Sequence, residues 1–284
     1  MPVSPEPWQP SGFRRGSDVA CKFVVRLVVA IGIVFLLLPI AAVAVASFNT
    51  PPAVSVPPDD WSFESYRQIP DAIYSAFFTS LQLAVVATVC AVVICVPAAF
   101  ALVRAMPRWA RAISESFARS PLQVPQVIIG VALIMSFFLW ANVIGVDLSF
   151  SFTGLLLAHI VLVVPYILGT LVSQVDDLDE DIERAGRGLG ASATRVWALV
   201  TLPTLRQAIL SSALLSFMIS FDNVPLSLFL TGPNITTLPV VMFEQTQLTL
   251  TPTLYAASTL VIIVTLVMTL ALERLVGLRK ALGR

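Results

Sequence analysis

The feature that most restricts what this chain can become is a series of apolar stretches too long for the core of a soluble domain. The first, Phe23 to Ser47, runs for 25 residues with Arg26 as its one charge. A helix of that length crosses a hydrocarbon layer of roughly 30 Å, and it exceeds the 7 to ~15 apolar residues of a cleavable signal. Five more follow, at Phe77–Val103, Val124–Ile144, Phe152–Val172, Leu205–Leu230 and Leu254–Val276. Backbone amides inside hydrocarbon find partners only within their own segment, so each stretch must be a helix. Composition agrees: 57% of the 284 residues are hydrophobic and 12% charged, against about 25% charged in soluble domains. The expected fold is an all-α integral membrane protein of six transmembrane helices. Prolines 39, 97, 125, 165 and 225 fall inside or at the ends of these spans and predict kinks or breaks.

The basic residues orient the spans. Sixteen of the seventeen precede or open span one, lie between spans two and three, lie between spans four and five or at the start of span five, or close the chain from the end of span six; Arg67 alone lies on the other side. Lys and Arg accumulate on the cytoplasmic face, so both termini are expected there. The chain then divides into a disordered cytoplasmic tail (1–22), a first span (23–47), an external loop (48–76), a five-helix core (77–276) holding a long cytoplasmic loop (174–206), and a second cytoplasmic tail (277–284). Pro-Pro pairs and the Asp59-Asp60-Trp61 run suggest an extended conformation for the external loop.

Several function classes are excluded. The formal net charge is zero, and no basic stripe interleaved with aromatics suits a nucleic-acid groove. Cys21, Cys90 and Cys95 have neither disulfide-framework nor zinc spacing. The one histidine, His159, stands in an apolar run without acidic or cysteine neighbours at helical spacing, which favours a packing or hydrogen-bonding role over a metal ligand.

The loop at 174–206 interrupts this apolar chain with "ERAGRGLGASATRVWALVTLP" (183–203). Asp177 followed by Glu180 suggests a helix start, Glu183 and Arg187 are four apart in the favourable order, and Ser192 can cap a second short helix. Between them Gly188 to Gly190 permits a turn. Gly186, Gly188 and Gly190 have no preceding strand and no following Gly-Lys-Ser/Thr, so they do not form a nucleotide loop.

These residues resemble the coupling loop of permease subunits in binding-protein-dependent ABC importers, whose pattern is Glu-Ala-Ala, three residues, Gly, and a later Leu-Pro. The Ala-Ala pair falls on Ala185-Gly186, the Gly on Gly190 and the Leu-Pro on Leu202-Pro203. The Glu position falls on Arg184, while Glu183 lies one residue earlier, about 100° round a helix. "SFDNVPLSLFLTGPNITTLPVVMFEQ" from Ser220, and "SFNTP" at 47–51, resemble the polyamine (spermidine/putrescine) branch of that family. The resemblance implies a type I (MetI-like) permease bundle in the bacterial cytoplasmic (inner) membrane, not itself an enzyme. Its implied partners are a second permease subunit in a heterodimer, a dimer of ATPase subunits that hold ATP and Mg, and an external solute-binding protein; no cofactor is expected on this chain. Glu183, Arg184, Ala185, Gly186, Arg187, Gly190, Leu202 and Pro203 would then couple to the ATPase.

For the substrate path, Asp222 is the leading candidate. It lies sixteen residues, or about 24 Å, beyond Arg206 along the fifth helix, and a carboxylate at membrane depth marks a functional site because of its insertion cost. The same acid can instead shape the helix break before Pro225. Asn223, Phe221, Glu244, Trp140 and Tyr166 are further candidates, the aromatics through cation–π contact with an alkyl amine. The resemblance implies a polyamine, spermidine or putrescine, as the cargo of an ATP-driven importer, with phosphonates, opines or ferric iron as the alternatives. An ion-coupled secondary transporter would place several ionisable groups at mid-membrane, whereas Asp222 is nearly alone there. A membrane enzyme would need convergent polar groups at one depth, and the sequence offers none.

Overall fold

The computed structural model describes residues 12–52, 54–248 and 250–276. In chain order its helices are α1 (Gly12–Ala46), α2 (Glu64–Arg67), α3 (Asp71–Phe100), α4 (Arg108–Arg119), α5 (Gln126–Ile144), α6 (Phe152–Asp176), α7 (Glu180–Gly188), α8 (Ala193–Val196), α9 (Leu202–Phe221), α10 (Leu238–Leu248) and α11 (Pro252–Val276). Two wide π-turns extend this set, Ala101–Ala105 after α3 and Trp197–Thr201 before α9. Six helical segments among the described residues are long and apolar enough to cross a membrane: α1, α3 with its π-turn, α5, α6, α8 through α9, and α11. The only β pairing described is an isolated bridge between Gly232 and Ile235.

The chain forms two compact units. The first holds the described residues up to Gln68 together with Thr251–Thr259. Beyond α1, its connecting segment is tied down rather than extended. Asn49 is buried and links the Ala46 and Ser55 carbonyls through Nδ2, while its Oδ1 accepts from the Ser55 amide. Ser65 donates to the Asn49 carbonyl, and the rings of Trp61, Phe63 and Tyr66 gather round Phe48 at 5.2–5.8 Å. Hydrogen-bonding residues between the prolines thus compensate for the amides that proline lacks.

The second unit, 69–250 with 260–284, is built on α3, α6 and α9, which pack on one another. The buried face of α3 carries Ala76, Ser80, Ala84, Ala87, Thr88 and Ala91. Small side chains let helix backbones approach closely in lipid, where hydrophobic exclusion between helices is absent. Facing it are Leu155, Ala158, Leu162, Ile167 and Leu171 of α6 with Leu205 and Ala208 of α9. Pro97 and Pro165 lie within continuous α3 and α6.

Three boundaries differ from the sequence expectation. Residues 12–22, read as unstructured tail, are helical as the start of α1, while 1–11 and the tail at 277–284 lie outside the described residues. α3 begins at Asp71, so the last residues of the expected external loop belong to a span. The fifth span ends at Phe221 instead of Leu230, because Pro225 cannot supply the amide a continuing helix needs; the Asp222–Leu226 break and a short 3₁₀ turn, Ser227–Phe229, follow. The link between spans two and three, whose structure the sequence left undescribed, holds the amphipathic α4. Its Arg111 donates to Asp176 at the end of α6 (2.7 Å) and to Glu115 (2.6 Å), and both contacts, Asp176 foremost, strengthen its hold on its proton.

Candidate functional site

α7 is a nine-residue helix set between α6 and α8. Its N-cap is Asp179, whose carboxylate accepts from the Asp181 amide at 2.9 Å; Asp177, the expected start, instead caps the C-terminus of α6. Three acids in the first turn, Glu180, Asp181 and Glu183, face the positive end of the helix dipole.

The C-terminus of α7 is a Schellman motif. The Gly190 amide donates to the Arg187 carbonyl (3.0 Å) and the Ala191 amide to the Gly186 carbonyl (3.3 Å), with Gly190 at φ +86°. The sequence suggested that Gly190 allows another surface to approach. Within this chain, however, a Cβ at Gly190 would meet no atom within 4 Å, so what glycine supplies here is the left-handed conformation. Close approach belongs to Gly186: a Cβ there would stand 3.0 Å from Val196 Cγ2, which seats α7 on α8.

Ser192 caps α8 as expected, its hydroxyl accepting from the Arg195 amide at 3.4 Å. The Leu-Pro pair has a local consequence. Pro203 has no amide to donate and its ring would crowd the Leu199 carbonyl in an α-helix. The chain widens instead into the π-turn, where the Leu202 amide reaches back five residues to Trp197. Leu202 packs against the core and Pro203 is exposed.

The charges on α7 divide between two faces. Glu183, 15% exposed, turns toward the chain itself: Thr201 in the π-turn donates to its carboxylate at 3.3 Å, and Arg187 stands 3.8 Å away. Arg184 is exposed and satisfied by its own helix, donating to Glu180 (2.6 Å) and Asp181 (2.8 Å). Ala185 is exposed, as are Ile182 and Leu189, and Leu189 at the apex is 90% accessible. A short helix with an apolar tip and internally neutralised charges is therefore displayed outward, while its acidic side is anchored inward.

The second candidate region is the break after α9. Asp222 is the C-cap of that helix, exposed, and no ion pair or side-chain hydrogen bond to it forms among the described residues. Asn223 is buried: its amide donates to Gln126 Oε1 at the start of α5 (2.7 Å), and its oxygen accepts from the Leu226 amide (3.0 Å). It holds the break closed, so one unpaired carboxylate is displayed rather than a polar pair. Phe221 is buried, stacked on Phe217 at 5.8 Å and edge-on to Phe77 at 6.0 Å.

His159 clips the break from behind. Fully buried on α6, its Nδ1 meets the Ser220 hydroxyl at 2.8 Å and its Nε2 the Ser227 hydroxyl at 3.0 Å, one serine on each side of the break. The hydrogen-bonding role expected for this histidine is what the geometry shows; its partners, 61 and 68 residues away, were invisible to local pattern.

The remaining candidates occupy other levels. Phe137, 5.7 Å from the Trp140 ring, crowds Gly154 near the start of α6. Tyr166 lies twelve residues further along α6, about 18 Å, with His159 and the break between them. Glu244 is exposed on α10. No hydrogen bond or ring contact joins Trp140, Tyr166 or Glu244 to Asp222 among the described residues. Also among those residues, no group of three or more His, Cys, Asp or Glu is placed to hold a metal ion.

Residues 91–280 match the family described as binding-protein-dependent transport system inner membrane component. The chain is 32% identical over 239 residues to the putrescine transport system permease protein PotI of Escherichia coli (strain K12), covering 83% of this chain and 84% of that one. It is 29% identical over 233 residues to the spermidine/putrescine transport system permease protein PotC of Haemophilus influenzae, covering 82% and 88%. Among solved structures, a chain of a bacterial ABC transporter involved in the import of the acidic polysaccharide alginate is similar with a TM-score of 0.70 at 16% identity, over 95% of this chain and 99% of that one. At that identity the likeness is one of fold.

Proposed function

Because the chain belongs to the family of inner-membrane components of binding-protein-dependent transport systems, we propose that this permease carries a polyamine, putrescine or spermidine, received from an external binding protein. The similarity to two polyamine permeases over more than four-fifths of the chain supports that cargo.

The energy comes from outside the chain, through a pair of ATPase subunits holding ATP and Mg; this chain binds no cofactor. Both termini and the 174–206 loop face the cytoplasm, and a second permease of different sequence completes the pathway. The observation that carries this reading is α7 itself: Ile182 and Leu189, seven residues apart and so on one side of the helix, are exposed, while Glu183 is held by Thr201 of the same chain. Such an element suits a groove on a motor subunit. ATP-driven closure displaces α7 and shifts the bundle between inward-open and outward-open states, a bias that coupling energies of about 1–3 kcal/mol suffice to produce.

Asp222 offers the passing cation a transient partner, since its carboxylate is displayed and unpaired while Asn223 is occupied with the break. The cargo is tested on the cognate binding protein by calorimetry. Putrescine or spermidine should bind tightly, and phosphonates, opines and ferric iron should not; tight binding of one of those three with no polyamine affinity overturns the assignment.

A further inference from the structure

Both ends of the acidic side of α7 are held by other elements, and the holds converge on two π-turns. At one end, Arg104 in the Ala101–Ala105 π-turn donates through Nη1 to Glu180, the first residue of α7 (3.0 Å), and through Nη2 to the Leu178 carbonyl in the α6–α7 linker (2.8 Å). At the other, Thr201 in the second π-turn donates to Glu183. Glu180 and Glu183 are three apart and share a helix face. The two π-turns also meet directly, Phe100 at the entry of the first touching Trp197 in the second edge-on at 6.2 Å.

Arg104 is the less expected of these residues. Its side chain is 19% exposed, and its Nε is buried without a partner. A guanidinium in that setting is costly unless its contacts are specific. Its two-pronged grip spans the hinge between α6 and α7, holding the linker backbone with one nitrogen and the first residue of the moving helix with the other. It projects from the end of α3, which packs on both α6 and α9. Single π-turns within helices are also frequent at functional sites.

We propose that Arg104 is a positioning residue for energy coupling: it passes the displacement of α7 into α3, so that the motor moves α3 together with α6 and α9. This rests on the reading of α7 as the motor's docking helix. Without Arg104, α7 is still docked and pushed, but α3 no longer follows, and nucleotide is hydrolysed without matching transport.

The test uses the complete transporter in vesicles with its binding protein, measuring ATP hydrolysed per solute imported. Arg104→Met should raise that ratio at least tenfold while the ATPase still co-purifies in parental amounts. Arg104→Lys should recover part of the coupling, because one ammonium engages either acceptor but does not present the fixed fork. Glu180→Gln, at a half-exposed position with little bearing on folding, should also raise the ratio and decides the matter should Arg104→Met not reach the membrane. A parental ratio in either Arg104→Met or Glu180→Gln overturns the inference. If the parent itself imports without ATP, the docking reading fails and takes this inference with it.

Discussion

Gly190 separates two reasons for a glycine in the 174–206 loop, because its surroundings are empty and its backbone is not ordinary. A Cβ added there meets nothing within 4 Å, yet the residue sits at φ +86°. Gly190→Ala therefore adds no clash within the chain and isolates the backbone cost, about 1–2 kcal/mol for an L-residue in the left-handed region. That opens the Schellman turn by a factor of roughly 5–30. Asparagine tolerates this conformation far better, so Gly190→Asn should recover most of the loss, whereas the β-branched Gly190→Val should exceed alanine. Hydrogen exchange of the peptide covering 183–196 reads the opening directly, with uptake measured on the same preparations. The amides of Gly190 and Ala191 should exchange faster in the order Asn, Ala, Val, and uptake should fall in that order. Exchange unchanged in Gly190→Ala, or Asn as damaging as Val, refutes the conformational argument and points to a surface in a partner that touches this residue.

Three further outcomes follow from the geometry. Gly186→Leu drives a side chain into Val196, which a single Cβ already approaches to 3.0 Å; it should lift α7 off α8, lower uptake at least tenfold, and expose the 192–196 segment to protease. His159→Leu removes both hydroxyl contacts across the α9 break, at about 0.6–2 kcal/mol per bond in a membrane setting; a fall in the detergent melting temperature larger than that of Ser220→Ala or Ser227→Ala alone is expected. Asp222→Asn keeps the shape of the helix end and removes the charge; transport of spermidine should slow at unchanged protein level, and parental affinity and rate would assign Asp222 to architecture alone.

Hydropathy alone located all six spans, because a bilayer forces every long apolar run into the same conformation. It misjudged their ends where local chemistry overrides apolarity. Leu226, Leu228 and Leu230 continue the fifth run in composition, but Pro225 and the Asn223 contact to Gln126 end the helix at Phe221. The local structure of the 174–206 loop was legible in its signals: the Ser192 cap, the glycine turn and the Leu202-Pro203 pair. The helix start was misplaced by two residues because Asp177 and Asp179 are equivalent in type, and only backbone geometry distinguishes the C-cap of α6 from the N-cap of α7. Long-range contacts left no such trace. Arg104 lies 76 residues from Glu180 and counted only as a basic residue orienting the membrane. Likewise Trp140, Tyr166 and Phe221 looked equivalent as aromatics in spans, yet the fold puts them at different levels, and buries Phe221 between two other rings.

The central claim is that this permease moves solute only through force applied to α7 by a separate motor. It is tested most directly by reconstituting the chain in vesicles with its permease partner and binding protein, with and without the ATPase subunits, and following labelled putrescine. Accumulation against the gradient should appear only when the ATPase and hydrolysable ATP are both present, and should vanish with a non-hydrolysable analogue. Sustained accumulation in vesicles that hold no nucleotide hydrolase would contradict the account.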